Sequence, residues 1–288
     1  MGGSRGKPLP LASNITSLQA NAIGTYVYCV IRAEAEPEVA VKAARLPEAS
    51  TPRAVPLASR TWLVLADVPM GIYGSAALDQ RLKDLDWIGA VGLAHQAMVD
   101  ACLKHEAVVP MKVLTIFANV ARAKKEMQRH ADRLRAAMQQ VAGCVEWGVR
   151  VTRAKQPART LHRRETQPWM QPQPPTQTQA AATGRAFLEA KVQHRQAVRE
   201  ETETLDRHLR TLADTLNDVT RDVRYRLEQP AGATVPVLLD AAYLVPRRSE
   251  RQFRAQVRAK SQPLLARGCR VTVTGPWPAY SFVSPNGR

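Results

Sequence analysis

The chain lacks most of the features that mark an enzyme or a membrane protein. No H-E-x-x-H, P-loop or G-x-G-x-x-G motif is present, and the 15 glycines are scattered, so no metal-dependent hydrolase site or phosphate cradle is predicted. No stretch reaches the roughly 18 consecutive apolar residues that a membrane helix needs. We therefore expect no membrane span, no catalytic residue, no cofactor and no small-molecule substrate.

Cysteines are few and widely spaced. Cys29, Cys102, Cys144 and Cys269 form no C-x-x-C pair, which excludes the usual zinc spacing. Three of the four stand in apolar runs, where a cysteine behaves as a small buried hydrophobe. This favours inert core thiols in a reducing cytoplasm, with a disulfide or a ligand role as the alternative.

Aromatic residues make up only 5% of the chain, whereas basic residues give a net charge of +16. A positive surface attracts acidic proteins, nucleic acid or anionic membranes, and charge alone does not choose among them. Residues 1–21 are polar and proline-interrupted, so we interpret them as a disordered extension and not as an export signal. The length of 288 residues suits two domains.

The first predicted domain, residues 22–155, mixes strands with helices. The apolar run 25–31 predicts a buried strand, and 53–57 with 61–68 predict two neighbouring strands, the first at a sheet edge because of Pro56. From 75 to 105 the apolar period becomes helical. Trp87 and His95 lie on the apolar face of this helix and are candidate core residues.

The same domain continues with a strand or kinked strand pair at 107–117. A helix follows, with Val120, Met127, Ala131, Leu134, Met138 and Val141 on its apolar side, and Gly143 ends it. The strand at 144–152 then places alternate residues on one face, among them Trp147, the third candidate core residue. The pattern predicts an α+β fold.

A Pro/Gln/Thr-rich linker at 156–183 separates this domain from a smaller α+β domain at 184–288. The second domain opens with a long helix whose apolar residues, from Leu205 to Val223, alternate at steps of four and three. This seam predicts packing within the domain or pairing with another chain. A strand at 235–245, a helix at 248–267 and a closing strand from Cys269 to Gly275 complete it.

Two groups of residues invite a chemical role. His95 and the neighbouring pair His105 and Glu106 could act in proton transfer, but a buried core histidine and a histidine at a helix end are the simpler interpretations. Basic residues cover one side of two helices, which is typical of a solvated face, of a surface for acidic proteins or of a nucleic-acid-binding regulator. These residues are Arg122, Lys124, Lys125, Arg129, Arg133 and Arg135 on one helix and Arg247, Arg248, Arg251, Arg254 and Arg258 on the other.

The C-terminal aromatic turn is the most distinctive segment. Pro276 and Pro278 flank Trp277, and Tyr280 follows. Prolines restrict the backbone and hold the indole in one place, which lowers the entropy lost when it docks. The segment is a candidate either for bracing the two domains or for an interaction hot spot.

Blocks of sequence in both domains resemble the gas vesicle protein F/L family. The closing stretch TGPWPAYSFV is preceded by DAAYLVP at 240–246. Further blocks in the family's order and approximate spacing are TYVYCVIRA at 25–33, Trp87 with His95 downstream, VPMKVLTIF at 109–117 and GCVEWGVR at 143–150.

This resemblance covers about 25–155 and 184–283 and implies a ferredoxin-like first domain. It also implies a cytoplasmic gas vesicle assembly factor or minor vesicle component, whose partners are the hydrophobic main shell protein and other accessory proteins. The family attributes no reaction, metal or cofactor to its members. One departure stands out, because Lys112-Val113-Leu114 replaces the family's usual Arg-Phe-Gly.

Overall fold

The structure, a computed structural model, describes residues 22–39, 45–153, 177–226 and 235–283. Within these ranges helices accompany two antiparallel sheets, which confirms the predicted α+β class. The chain divides into two compact units. The first comprises the described residues up to Trp147, Leu244–Arg247 and those from Gly275, and the second comprises Gly148–Tyr243 and Arg248–Thr274.

The domain limits drawn from the sequence remain a prediction. The extension at 1–21 lies outside the described residues, as does the linker up to residue 176.

The sheet of the first unit has the strand order β2-β3-β1-β4, with β5 paired to β1. This is the order of a split βαβ sheet of ferredoxin-like type. Strand β2 lies at the edge, which confirms the prediction for Pro56. Strand β1 pairs antiparallel with β3 from Ile23 opposite Pro69 to Arg32 opposite Thr61. The strands are β1 (Ile23–Arg32), β2 (Arg53–Ala58), β3 (Thr61–Pro69), β4 (Ala107–Pro110) and β5 (Ile116–Phe117).

Helices cover both faces of this sheet, which explains why nearly every residue of β1 is buried. The longest, α3, begins where the Asp84 carboxylate accepts the Trp87 N–H at 3.0 Å and buries Trp87, Val91, His95 and Met98. On the other side, α4 packs against β1 and α5 against β4. The helices are α1 (Met70–Tyr73), α2 (Ser75–Arg81), α3 (Leu85–Cys102), α4 (Val120–Arg129) and α5 (Ala131–Val141).

Two helices predicted as continuous are divided. The region from 75 to 105 contains α2 and α3, because Asp84 caps a new helix after Arg81. The region from 120 to 141 contains α4 and α5, separated at His130, whose φ of −111° and ψ of 26° are not helical. Side-chain period alone does not reveal these breaks, since the apolar face continues across them.

The second unit is built around a four-stranded sheet of order β7-β8-β6-β9. The long helix α6 packs against α7, and Leu205, Leu212, Phe253 and Val257 are buried. The elements are β6 (Cys144–Arg153), α6 (Gln177–Asn217), β7 (Asp222–Tyr225), β8 (Val237–Pro246), α7 (Glu250–Leu265), β9 (Cys269–Trp277) and α8 (Tyr280–Val283). None of the helices in the described ranges is long and apolar enough to cross a membrane.

The apolar seam predicted for α6 includes two residues that lie outside the helix. The helix ends at Asn217, so Val219 lies beyond it and Val223 belongs to β7. The Thr220 hydroxyl donates to the Asn217 carbonyl at 3.2 Å and satisfies one of the acceptors that a helix end leaves open. The apolar period alone therefore overestimated the length of this helix.

Leu114 adopts a left-handed conformation, with φ of 65°. It occupies the position where the resembling family usually has glycine, the residue that takes this conformation without a steric penalty. Its N–H donates to the Tyr26 hydroxyl at 3.2 Å, and the neighbouring Thr115 carbonyl accepts the Val27 N–H at 2.9 Å. These bonds to β1 hold the turn in place despite the strained residue.

Replacing Leu114 with glycine or alanine tests this strain. Both variants lose the isobutyl group, but only glycine adopts the left-handed conformation without a steric penalty. We therefore expect the free energy of unfolding of Leu114→Gly to be about 1 kcal/mol higher than that of Leu114→Ala. Urea denaturation of both proteins gives the difference. At the adjacent Val113, 46% exposed and without a positive φ, alanine should be at least as stable as glycine. An alanine advantage at 114 would contradict the assignment.

Candidate protein-binding surface of the first unit

His95 lies inside a cluster of aromatic rings between β1 and α3. Its side chain is only 1% exposed, and its Nδ1 lies 2.8 Å from the Tyr26 hydroxyl. That hydroxyl also accepts the Leu114 N–H, so it connects the imidazole to the turn before β5. The Tyr28 ring stacks on the imidazole at a centroid distance of 5.7 Å.

This environment favours the neutral imidazole. Burial lowers the pKa of His95 to about 4, and a backbone hydrogen bond with Met111 acts weakly in the opposite direction. A ring that is neutral, enclosed and already bonded to a tyrosine cannot reach a substrate. Trp87 and Trp147, the other candidate core residues, are 8% and 6% exposed.

The surroundings of His105 disfavour the charged form that a helix-end cation requires. Burial lowers its pKa, and the nearby charges of Lys104 and Arg247 lower it further. The Arg247 guanidinium instead donates to the carbonyl of Leu103 just after α3. In addition to Lys104, a positive charge near the end of this helix therefore comes from a residue more than 140 positions away in sequence.

The described residues contain no group of three or more His, Cys, Asp or Glu side chains that could hold a metal ion. All four cysteines are buried, and none of them forms a disulfide. Burial raises the pKa of the Cys29 thiol well above its usual value, which keeps it protonated.

The C-terminal segment that contains the predicted aromatic turn belongs to the first unit. Gly275 has φ of 126°, and a Cβ at this position would lie 2.8 Å from the Glu146 carbonyl oxygen and 3.2 Å from the Trp147 ring. Only glycine allows this approach. The chain then continues through Pro276 and Trp277 into α8.

A buried carboxylate anchors this segment. Glu146 is 5% exposed, and it accepts the Ser281 N–H at 2.8 Å and the Ser281 hydroxyl at 2.7 Å. The Tyr280 hydroxyl donates to the Gln96 side-chain oxygen at 3.3 Å. Bonds to a buried charge are stronger than those between neutral groups, so the segment is firmly attached to the unit.

The anchored segment leaves one large ring uncovered. Trp277 is 42% exposed, whereas Ala279 and Phe282 are buried. Pro278 is buried and Tyr280 half-buried, while Pro276 is exposed. An exposed indole on a firmly held backbone is the arrangement typical of an interaction hot spot, because little conformational entropy is lost when it binds.

A groove of about 440 Å³ opens between the turn that joins β2 to β3 and the helices α4 and α5. Its apolar lining comes from Leu57, Met127, Ala131, Leu134 and Met138. Met138 is fully buried at the base, while Met127 and Leu134 are half-buried. Methionines adapt to differently shaped apolar partners, and such grooves commonly receive helices.

Three arginines, Arg32, Arg60 and Arg135, stand at the rim of this groove. Arg32 and Arg60 both contact Glu106, at 3.3 and 3.2 Å, and Arg60 also pairs with Glu34. These pairs are solvent-exposed, so an incoming acidic group can exchange with the carboxylates at small cost.

The sequence alone located the groove residues only in part. Met127, Ala131, Leu134 and Met138 share the apolar side of the α4–α5 region, and their period predicts core packing. In the structure this apolar side is only partly core, since Met138 is buried whereas Met127 and Leu134 face the groove. The β2–β3 turn, which forms the opposite wall, carries no sequence signal for this role.

Solved structures with the same overall architecture define the fold class. The chain resembles the gas vesicle protein GvpF from Microcystis aeruginosa, with a TM-score of 0.57 and 13% identity over 91% of this chain and 99% of that one. It also resembles GvpF from Anabaena sp. PCC7120, with a TM-score of 0.54 and 15% identity over 92% of this chain and 97% of that one. The molecule therefore has the two-sheet α+β fold of these GvpF structures.

Sequence similarity identifies the family. The family model for the gas vesicle synthesis protein GvpL/GvpF matches residues 24–284. Gas vesicle protein L of Streptomyces sp. (strain CB03234) is 30% identical over 225 residues, which are 76% of this chain and 78% of that protein. The chain belongs to the GvpL/GvpF family of gas vesicle synthesis proteins, as the resemblance predicted.

The burial of His95 generates a prediction about pH. Its pKa is lower in the folded protein than the usual 6.5, so the unfolded chain takes up a proton first as pH falls. The stability that depends on this pKa difference is fully present above pH 6.5. As the pH falls from 6.5 to 4, the free energy of unfolding decreases by roughly 3 kcal/mol in total. Urea denaturation across this pH range should show that the free energy of unfolding depends less on pH in His95→Gln than in the native chain. The exposed His194→Gln should behave like the native chain, and an equal slope in His95→Gln would refute the assignment.

The anchor at Glu146 generates a second prediction. Ser281→Ala removes a hydroxyl donor from a buried carboxylate, which should lower the free energy of unfolding by about 1 to 3 kcal/mol. Thermal or urea denaturation measures the loss. The exposed Ser75→Ala is the matched control and should change stability by less than about 0.5 kcal/mol. Equal stabilities of the two variants would show that the segment is not held by this bond.

Proposed function

We propose that this chain is an assembly factor or minor component of cytoplasmic gas vesicles that binds the hydrophobic main shell protein during vesicle nucleation and growth. Membership of a gas vesicle synthesis family supports the process. The observation that carries the binding role is the half-buried, methionine-lined groove between α4, α5 and the β2–β3 turn. On this proposal the chain acts without catalytic residues, metal or cofactor.

The chemistry of the groove suits an apolar segment of a shell subunit. A shell protein with exposed apolar surface before assembly requires a partner that covers this surface. The groove offers Met127 and Leu134 to apolar side chains, and the buried Met138 forms its base. The arginines at the rim would bind acidic groups beside that segment and orient it.

Trp277 is a second candidate contact in this proposal. Its ring is exposed on a segment that Glu146 and Gln96 hold to the first unit. Aromatic side chains on rigid backbones contribute much of the binding energy in protein interfaces. We therefore propose the indole as a contact for the shell protein or for another accessory protein.

The two alternative functions have less support. A reaction at His95 requires solvent access, and this ring is 1% exposed within the aromatic cluster. A nucleic-acid-binding regulator would use the basic face of α4, where Arg129 is paired with Glu126 at 3.2 Å. Binding of duplex DNA that weakens steeply with salt would favour this second alternative.

Co-purification with the main shell protein tests the groove. In cells that express both proteins, Met127→Glu in the full chain should recover at least ten-fold less shell protein, because a charge in an apolar contact costs more than about 1.4 kcal/mol. Trp277→Ala should also lower recovery. The control is Leu85→Glu, which changes an 80% exposed leucine of α3 in the same unit and should leave recovery unchanged.

The full chain is needed because the segment from Gly275 completes the first unit. Melting temperatures of the three variants should lie close to that of the native chain, so that lost binding is not confused with lost folding. Undiminished recovery with both Met127→Glu and Trp277→Ala would contradict the proposed binding surface. Normal vesicles in cells that lack the gene would contradict a required role in assembly.

A further inference from the structure

Strand β9 forms one edge of the sheet in the second unit. Its inner side faces β6, and no further strand in the part of the chain that the structure describes pairs with its outer side. Residues 270–274 of this strand belong to the second unit. An edge strand directs unpaired N–H and C=O groups outward, so this stretch of backbone can accept another strand.

The other edges of the two sheets carry features that discourage strand addition. The edge strand β2 contains Pro56, which lacks a backbone N–H. Strand β7 has only four residues, two of which are the charged Asp222 and Arg224. Strand β4 also has four residues, and all of them are buried. By contrast, residues 271–274 of β9 are Val-Thr-Val-Thr, without charge or proline, so this edge is open to pairing.

The side chains of this segment alternate between the two faces of the sheet. On one face, Arg270, Thr272 and Thr274 are exposed. On the other face, Val271 is half-buried and Val273 is 38% exposed, so the unit covers these valines only in part. Valine is favoured in strands because it packs against neighbours on the pleated surface. A further strand beside β9 would supply those neighbours.

The order of these residues is self-complementary in an antiparallel pair. When two copies of β9 pair about Thr272, each Val271 lies opposite Val273 of the other copy, and the two Thr272 residues face each other. Thr–Thr pairs and apolar contacts across strands stabilise a sheet. Arg270 lies opposite Thr274, so the two arginines are four residues apart, or roughly 14 Å along the strands. A parallel pair in the same register would instead place the two arginines side by side.

We infer that the outer edge of β9 is a self-association surface, at which two copies of this chain pair antiparallel about Thr272. The two four-stranded sheets then form one continuous sheet, in which the valines of both copies cover one another. The pairing has two-fold symmetry, so the same edge serves both copies. Each copy carries a net charge of +16. Repulsion therefore opposes pairing at low salt, and dimers should strengthen as salt screens it.

Exchange of charges at Thr272 tests the centre of the pair, with sedimentation velocity of the full chain as the measurement. Thr272→Lys places two lysines directly opposite each other and should weaken dimers at least ten-fold, as Thr272→Glu should with two glutamates. An equimolar mixture of the two variants should restore dimers, because lysine then lies opposite glutamate. Thr202→Lys, at an exposed threonine of α6, adds the same charge elsewhere in the second unit and should leave dimers unchanged.

Cysteine cross-linking tests the orientation. The native cysteines are buried, so a new thiol at an exposed threonine reports on β9. In the antiparallel pair the two residues at 272 have Cβ atoms roughly 5 Å apart, whereas the two at 274 lie about 14 Å apart along the strands, too far for a disulfide. With oxidised glutathione, Thr272→Cys should give disulfide-linked dimers and Thr274→Cys should remain monomeric.

Four results would overturn the inference. A monomer at all concentrations, even at high salt, would exclude self-association and would leave shell-protein binding at the groove untouched, because the groove uses other residues. Equal cross-linking at 272 and 274 would indicate a parallel pair. Failure of the mixture to restore dimers would show that the two residues at 272 do not face each other. Protection of the Thr272→Cys thiol from alkylation by the main shell protein, but not by higher concentrations of the chain itself, would assign the edge to that partner.

Discussion

The Tyr26 hydroxyl connects three parts of the first unit that are distant in sequence. It is hydrogen-bonded to His95 on α3 and accepts the N–H of Leu114 in the turn before β5. The ring contacts Tyr28 and Tyr73 at centroid distances of 5.0 and 6.4 Å. Without this oxygen, a buried imidazole and a buried amide would each lose a partner. The sheet, its covering helix and the strained turn therefore depend on one side chain.

The same logic of buried polar groups explains why the first unit needs the C-terminal segment. Glu146 is buried and charged, and Ser281 satisfies it with two donors from the far end of the chain. Gly143 N–H donates to the Glu106 carbonyl at 2.7 Å, and Arg247 N–H donates to the Gly143 carbonyl at 2.9 Å. The unit contains residues from distant parts of the sequence, so its N-terminal stretch alone lacks these hydrogen-bond partners.

The surfaces available for binding follow from this architecture. In the first unit, α4 and α5 cover one sheet face, and the part of their apolar side that the sheet does not occupy forms the methionine-lined groove. In the second unit, α7 packs against the C-terminal part of α6, whereas residues 185–203 of α6 are exposed within the described part of the chain. The proposed role as an assembly factor requires surfaces of this kind, because such a protein binds other polypeptides.

The sequence by itself determined the α+β class, the edge position of Pro56 and most strands, because a buried strand and an amphipathic helix differ in apolar period. Family membership was also evident from several blocks that occur in one order. The sequence did not predict the helix breaks at Asp84 and His130 or the end of α6 at Asn217. Caps and bends depend on backbone geometry, which the apolar period does not record. The left-handed Leu114 is strained, and the bonds of its turn to Tyr26 and Val27 hold it in place.

Only the tertiary structure decided which apolar residues are core and which are surface. Met127 and Met138 share one helical stripe, as do Val198 and Leu205, yet one member of each pair is buried and the other is accessible. The sequence records that these residues are apolar, and it predicts their common face. Whether a neighbouring element reaches that face depends on how long the neighbour is and where it lies, which is a property of the folded chain.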